Sequence, residues 1–310
     1  MNGDRWVASL TAGAAAPLRA AAGPPRQTIS GTRSLWISLT RKPLGAAPAA
    51  LILLLVVTAL LAGVLAPYDP LETHPDIRLS APSRAHVFGT HDIGRDVLSR
   101  IVYGSRISLW VGLLAVGIGT LTGVIIGLGC GYWEGWLDLA LQRLMDAVQA
   151  IPGLILALAI VSVLTPTTTN AMLAIAIVII PGNSRIVRGA VLSAKQNRYV
   201  EAAEALGCRH RHILVWHILP NVTAPILIIA SIWFGNAILI EATLSFLGLG
   251  TQPPTPSWGL MLSSTGRAFM EQAPWLAIFP GLAISLAVLA FNLVGDTLRD
   301  AWDPKLRRKD

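Results

Sequence analysis

Six long apolar runs, at about 44–66, 107–129, 137–164, 170–190, 222–241 and 275–298, alternate with polar connections along the chain. Each is close to the roughly 20 residues an α-helix needs to cross the hydrocarbon of a bilayer. The pattern predicts an all-α polytopic membrane protein with six transmembrane helices. The third and fourth runs are interrupted by Pro152, Pro181 and several polar residues. Such breaks are tolerated inside a bundle, because neighbouring helices can satisfy the freed backbone groups. The chain divides accordingly into an extension and interfacial segment at 1–43, a six-span domain at 44–298 and a tail at 299–310. Within the domain lie two long polar connections, at 67–106 and about 191–221.

Composition sharpens this picture. Of the 310 residues 53% are hydrophobic and only 13% charged, against roughly 25% charged in soluble domains. The net charge of +7 would suit a nucleic-acid partner, but its distribution points to topology instead. With the N-terminus in the cytosol, the inner segments hold 18 Lys/Arg and the outer segments 6. That asymmetry places both termini inside, and no nucleic acid is implied. Residues 1–32 are rich in Ala, Pro, Gly and Arg, which favours a disordered extension. The following stretch, with Trp36, Arg41 and Lys42, reads either as an interfacial segment or as simple flanking charge. Cys130 and Cys208 lie in different segments, so no disulfide is expected, and two isolated cysteines give no metal-ligand spacing.

Two polar stretches carry the motifs. The first reads Gly89-Thr90-His91-Asp92-Ile93-Gly94-Arg95-Asp96, followed by Ser99-Arg100 and Tyr103-Gly104-Ser105-Arg106. Its glycines suggest turns, and Arg95 and Asp96 can pair or cap locally. His91, Asp92 and Asp96 together are read as structural rather than as a metal site, since three donors on a turn are weak evidence for a ligand set. The second reads Glu201-Ala202-Ala203-Glu204-Ala205-Leu206-Gly207, with Leu219-Pro220-Asn221 after eleven more residues. Ala, Glu and Leu favour a two-turn helix, and Gly207 suits a left-handed C-terminal cap. Val200, Ala203 and Leu206 or Gly207 would form a narrow apolar strip. Ala202 and Ala203 would admit a close partner surface, and Glu201 would offer it a carboxylate. A second helix is expected from about Arg209 to His217, stopped by Pro220.

The Glu-Ala-Ala spacing resembles the EAA loop of importer-type ABC-transporter permeases. The first stretch is similar to the corresponding motif of the C-type permeases of dipeptide, oligopeptide and nickel importers. It departs from that pattern at His91, where the family usually has Asp. The sequences at 241–250, 253–259 and 291–304 extend the resemblance to about residues 35–305. The resemblance implies the permease fold of type I ABC importers and a subunit that performs no catalysis. It implies an inner-membrane location, a second homologous permease chain, one or two ATP-binding cassette ATPases and an extracytoplasmic solute-binding protein. It also implies that Glu201, Ala202, Ala203, Gly207, Leu219 and Pro220 couple the chain to an ATPase. The outer-loop motif is carried by Gly89, Thr90, Gly94, Arg95 and Asp96. No cofactor is expected in this chain, ATP and Mg²⁺ belonging to the ATPases. Di- or oligopeptides are the expected solutes, being the broader group within that resemblance, with nickel or another small solute as the alternative.

Within the spans, Asp146 follows Arg143 by three residues, so both share a face and can pair. Asp146, with Arg143, is the candidate pathway or interhelical polar group. Arg185, Arg188 and Glu241 are read as lying near span ends, reaching headgroups or ion-pair partners. No phosphate-cradling GxxxxGK[ST] loop and no proton-relay chain is visible. Energy from a partner chain therefore fits better than an ion-coupled secondary transporter or a membrane enzyme.

Overall fold

The computed structural model describes residues 43–263 and 268–302. The N-terminal extension, the interfacial segment up to Lys42, Arg267 and tail residues 303–310 lie outside the described residues. Every regular element among the described residues is helical, and one isolated antiparallel bridge joins Thr90 to Asp96. In order these are α1 (Pro43–Leu60, continued by the turn Ala62–Leu65), a single 3₁₀ turn (Pro75–Ile77), α2 (Val97–Trp133), α3 (Gly135–Gln149), α4 (Gly153–Leu164), α5 (Thr168–Lys195), α6 (Arg198–Ala205), α7 (His210–Phe246), α8 (Trp258–Leu262) and α9 (Trp275–Trp302).

Four helices, α2, α5, α7 and α9, are long and apolar enough to cross a membrane. The bent pair α3–α4 would make a fifth, and the apolar stretch of α1, Ala46–Leu60, is shorter. The structure thus supports four to five of the six expected crossings by length and composition. The expected third span is broken, with α3 and α4 meeting at 88°. The break falls just before Gly153, because Pro152 disfavours helical geometry at Ile151 and supplies no N–H. Pro181, by contrast, sits inside an unbroken α5.

Two expectations about helix ends are corrected. The helix that carries the second apolar run begins at Val97 rather than near 107, because Asp96 caps it: its carboxylate accepts from the Ser99 N–H at 2.7 Å and from the Ser99 hydroxyl at 2.8 Å. Pro220 does not stop a separate second helix. The rod runs from His210 through a π-helical stretch, Ile213–Ile218, directly into the segment starting at Leu219. Pro220 therefore stands in the first turn of a new α-helical segment, where its missing N–H is tolerated.

Helices α2 and α5 run parallel along a seam of glycines. Gly119, Gly123, Gly127 and Gly131 recur every four residues and present one face to Ala176, Ile180, Asn183, Ser184, Val187 and Val191. In lipid no hydrophobic force drives helices together, so close backbone approach over small residues supplies the packing. Helix α7 packs antiparallel to α2, with Gly112 against Phe234, and α9 closes on α7 where Gly295 meets Ser231. The core joins Val111, Ala115, Ala157, Ile175, Ile179, Ala237 and Leu244. Outside, Leu121, Ile125 and Val163 are exposed, as a lipid-facing surface requires.

The connection from α1 to α2 is a strap folded over the end of the bundle opposite α6. Gly89 and Gly94 both take left-handed φ values, and a Cβ at Gly94 would collide with the His74 carbonyl. Thr90 is fully buried, and its carbonyl accepts from the Trp275 indole at 3.2 Å. Phe88 stacks on Phe279 of α9 with centroids 4.0 Å apart. Arg106 of α2 donates to the carbonyls of Ala59 and Leu60 and so caps the end of α1. Asp96 takes His86 as a partner at 2.9 Å while it caps α2, so capping and not pairing with Arg95 is its role.

Burial, with the nearby Arg100 guanidinium adding to it and Asp92 opposing, pushes His91 down to about 4 from its ordinary 6.5. Below pH 6.5 the unfolded strap takes up a proton that the folded strap refuses until about pH 4. Stability held above pH 6.5 is therefore lost as pH falls through that window. Acidification from pH 7 to 5 is expected to loosen the strap by about 2 kcal/mol, seen as faster hydrogen exchange over residues 79–96. His91→Gln should flatten this dependence; an unchanged pH profile in that variant would place the titrating group elsewhere.

Candidate functional site: the surface around α6

The sequence that leaves α5 is held in a tight corner. The Asn197 amide donates to the carbonyls of Ala194 and Ser193, at 2.9 and 3.2 Å, and so closes the last turn of α5. Eight residues of α6 follow, ended by Gly207 at φ +74. The Gly207 N–H donates to the Glu204 carbonyl at 2.9 Å, and the Cys208 N–H reaches back to Ala203 at 3.1 Å. This is the paired C-terminal hydrogen bonding that a left-handed glycine permits.

Val200 and Ala203 are buried, in a cluster with Val187, Val191, Ala194, Ile213, Ile218 and Val222. They pin α6 to the ends of α5 and α7. The outward face presents Glu201, Ala202, Glu204, Ala205, Leu206 and Gly207. Leu206 is 84% exposed, so it belongs to this outer face and not to the inner apolar strip. Ala203, conversely, faces inward and leaves Ala202 as the small residue open to a partner. Leu219 is half-buried and Pro220 exposed, at the start of the second segment of α7. Trp216 is exposed, while Ile213 and Ile218 take the inward positions.

Polar contacts that the sequence did not suggest tie this corner to the rest of the bundle. Lys195 Nζ donates to the Tyr132 carbonyl and to Glu134, each at 2.9 Å. The Tyr132 hydroxyl meets His210 Nδ1 at 2.7 Å. The ends of α2, α5 and α7 and the start of α3 are thereby joined beside α6.

The candidate pair Arg143–Asp146 is present at 3.5 Å, but Arg185 of α5 is the closer partner of Asp146, at 2.6 Å. Arg188 grips Asp138 through two contacts of 2.6 Å. Arg185 and Arg188 therefore bind α3 and do not reach for headgroups. The legible signal was a polar row, Asp138, Gln142 and Asp146, spaced by four on α3, facing an Arg row on α5. Glu241 also differs from expectation. It is 1% exposed and pairs with no cation among the described residues; Ser245 donates to it at 2.8 Å, with Ser108 and Thr251 at 3.4 Å. These hydroxyls fasten the segment after α7 to α2 near the strap. Among the described residues no group of three or more His, Cys, Asp or Glu is placed to hold a metal ion, and both cysteines are free thiols.

A family model described as the binding-protein-dependent transport system inner membrane component covers residues 123–308. A model of the N-terminal transmembrane domain of oligopeptide transport permease C covers residues 30–82. The chain is 44% identical over 279 residues to the dipeptide transport system permease protein DppC of Alkalihalophilus pseudofirmus, covering 90% of this chain and 91% of that one. It is 45% identical over 276 residues to the glutathione transport system permease protein GsiD of Pectobacterium atrosepticum, covering 89% and 91%. A chain of the MetNI methionine ABC transporter, in an inward-facing conformation, aligns with a TM-score of 0.53 over 66% of this chain and 98% of that one. At 18% identity that likeness is one of fold.

Proposed function

Since the chain belongs to the family of inner membrane components of binding-protein-dependent transport systems, we propose that it pairs with a second homologous permease to form the path by which short peptides enter the cell. It is a permease subunit of an ATP-driven importer of the dipeptide and oligopeptide type, a multi-pass membrane protein that works with ATPase and binding-protein partners. The observation that carries the peptide reading is identity of 44–45% over about nine-tenths of the chain to permeases named for dipeptide and glutathione. Both named solutes are peptides, which favours peptides over nickel.

In this reading both termini and α6 lie in the cytosol, and the strap faces outward. One or two ATPases bind ATP and Mg²⁺ and seat the α6 surface in a groove. Closure of the ATPase pair then displaces α6, and the clasp at Lys195, Tyr132 and His210 carries that displacement into α2, α3 and α7. A switch of this kind requires contacts that differ between its two states.

Purification from mild detergent is expected to retain a second permease and one or two ATPases, with vanadate-sensitive ATP hydrolysis. Proteoliposomes holding the complex should take up a dipeptide when the binding protein is added. A chain that purifies alone and moves solute without ATP would overturn the proposal.

A further inference from the structure

The rows of charge on α3 and α5 line an open cavity of about 540 Å³. Three guanidiniums, from Arg143, Arg185 and Arg188, face two carboxylates, from Asp138 and Asp146, leaving a surplus of positive charge. The two acidic groups are held differently. Asp138 is buried and gripped on both oxygens by Arg188, while Gln142 beside it donates to Ser184 at 3.2 Å. Asp146 is 42% exposed and shared between Arg185, itself 53% exposed, and Arg143, 75% exposed. The first pair is a strut between the helices. The second is an exposed pair, which adds little to stability and can exchange partners at little cost.

Depth decides what this cavity faces. The 28 residues of α5 make a helix about 42 Å long, against a hydrocarbon core of about 30 Å. Arg185 stands ten residues before Lys195, roughly 15 Å in from the helix end. About 12 Å of α5 extends beyond the core, so Arg185 lies within roughly 10 Å of the hydrocarbon edge. Three guanidiniums and two carboxylates gathered there are accommodated by a water-filled cleft that opens toward the α6 end. A second cavity, between α1, α2, α7 and α9, is different: apart from Arg106 it is lined by apolar groups such as Ile52, Val56, Trp110, Leu113 and Phe234.

Resting on the peptide-permease reading above, we propose that the α3–α5 cavity is a solute-contact site in the transport path, where Arg185 and Arg143 receive the carboxylate of a short peptide. Guanidinium is suited to this by its planar fork of donors. Asp146, released from Arg185, then meets the peptide ammonium, while the Asp138–Arg188 strut keeps the two helices in register.

The test uses the assembled complex in inside-out vesicles, with Leu139→Cys placed on the exposed rim of the cavity in a Cys130→Ala, Cys208→Ala background. The probes are membrane-impermeant methanethiosulfonates, one carrying a sulfonate and one a trimethylammonium group. The reference is 2-mercaptoethanol, a neutral thiol free in solution. The sulfonate reagent should be favoured at position 139 roughly tenfold more than with that thiol, as a positively lined cleft requires. Arg143→Gln with Arg185→Gln should bring that preference down to the reference value. A saturating dipeptide should slow the labelling, and its C-terminal amide should not. No labelling at 139 would mean that lipid or the companion permease covers this face, and would overturn the site. Labelling without charge preference, or without protection by the dipeptide, would also overturn it. An unsubstituted complex that takes up no peptide counts against the substrate reading alone; loss of these effects in a complex that does transport peptides counts against the site alone.

Discussion

Gly127→Leu is expected to remove folded protein from the membrane, whereas Gly117→Leu, ten residues earlier on the same helix, should be tolerated. A Cβ at Gly127 would lie 2.6 Å from the Ser184 carbonyl oxygen, 2.8 Å from Val187 Cβ and 3.0 Å from the Arg188 nitrogen. Two of those neighbours are backbone atoms and the third is the branch point of a stiff side chain, so none can swing aside. Relief requires α2 and α5 to separate, which would open the contacts at Gly119, Gly123 and Gly131 along the same seam. A change of this kind exceeds the usual cost of overpacking, about 1–3 kcal/mol, and falls among the exceptional losses above about 4 kcal/mol. At Gly117 nothing lies within 4 Å of the added Cβ, and the helix gains from losing a glycine. The readout is the amount of membrane-inserted chain and its resistance to protease. Equal accumulation of the two variants would show that close approach at the seam is not what holds α2 to α5. Because α6 hangs from the end of α5, this seam also determines whether motion of α6 moves one helix or two.

What the sequence revealed, and what it hid, separates along physical lines. Helix α6 and its glycine terminus were legible because they depend on neighbours in the chain: strong helix formers followed by a residue free to take φ +74. The prolines were harder. Pro152 coincides with the 88° break, while Pro181, Pro225 and Pro280 ride inside continuous helices. Tertiary contacts in a bundle compensate for some lost hydrogen bonds and not others, which no local pattern reveals. At Pro220 the compensation is the π-helical stretch before it, for which the sequence gives no marker. The partners of Asp146 and Asp138 lie 39 and 50 residues away, so a reading based on neighbours at i+3 found only the weaker contact of Asp146. The start of α2 could have been read from Asp96 and Ser99, since an acidic residue three positions before a hydroxyl or amide donor is a common N-terminal cap. The family was legible earlier than the packing, because its motifs lie in contiguous stretches of sequence, whereas packing joins residues far apart in the chain.

Glu201→Arg is expected to lower peptide uptake about a hundredfold or more, corresponding to about 2.8 kcal/mol of lost coupling, while the chain inserts and assembles normally. The residue lies in the first turn of α6 with its side chain exposed, and substitutions at such positions change stability by about 0.5 kcal/mol or less. Its effect must therefore come from the surface that α6 meets. If that surface offers a basic group, as the carboxylate requires, the reversed charge places like beside like, which costs several kcal/mol at an interface. Gly207→Asp should act by a different route. Its Cβ would meet no atom within 4 Å, but the left-handed backbone strains any side chain there and weakens the pair of hydrogen bonds that ends α6. Ala203→Arg is the contrasting case: Ala203 is buried between α5 and α7, so that variant should lose the fold of the corner along with transport. Uptake and solute-stimulated ATP hydrolysis are measured together with recovery of the complex. Loss of both activities in Glu201→Arg with full recovery of the permease pair locates the coupling contact on the outer face of α6. Undiminished uptake in that variant would move the contact to the other exposed part of this surface, around Trp216, and would leave α6 a connector between α5 and α7.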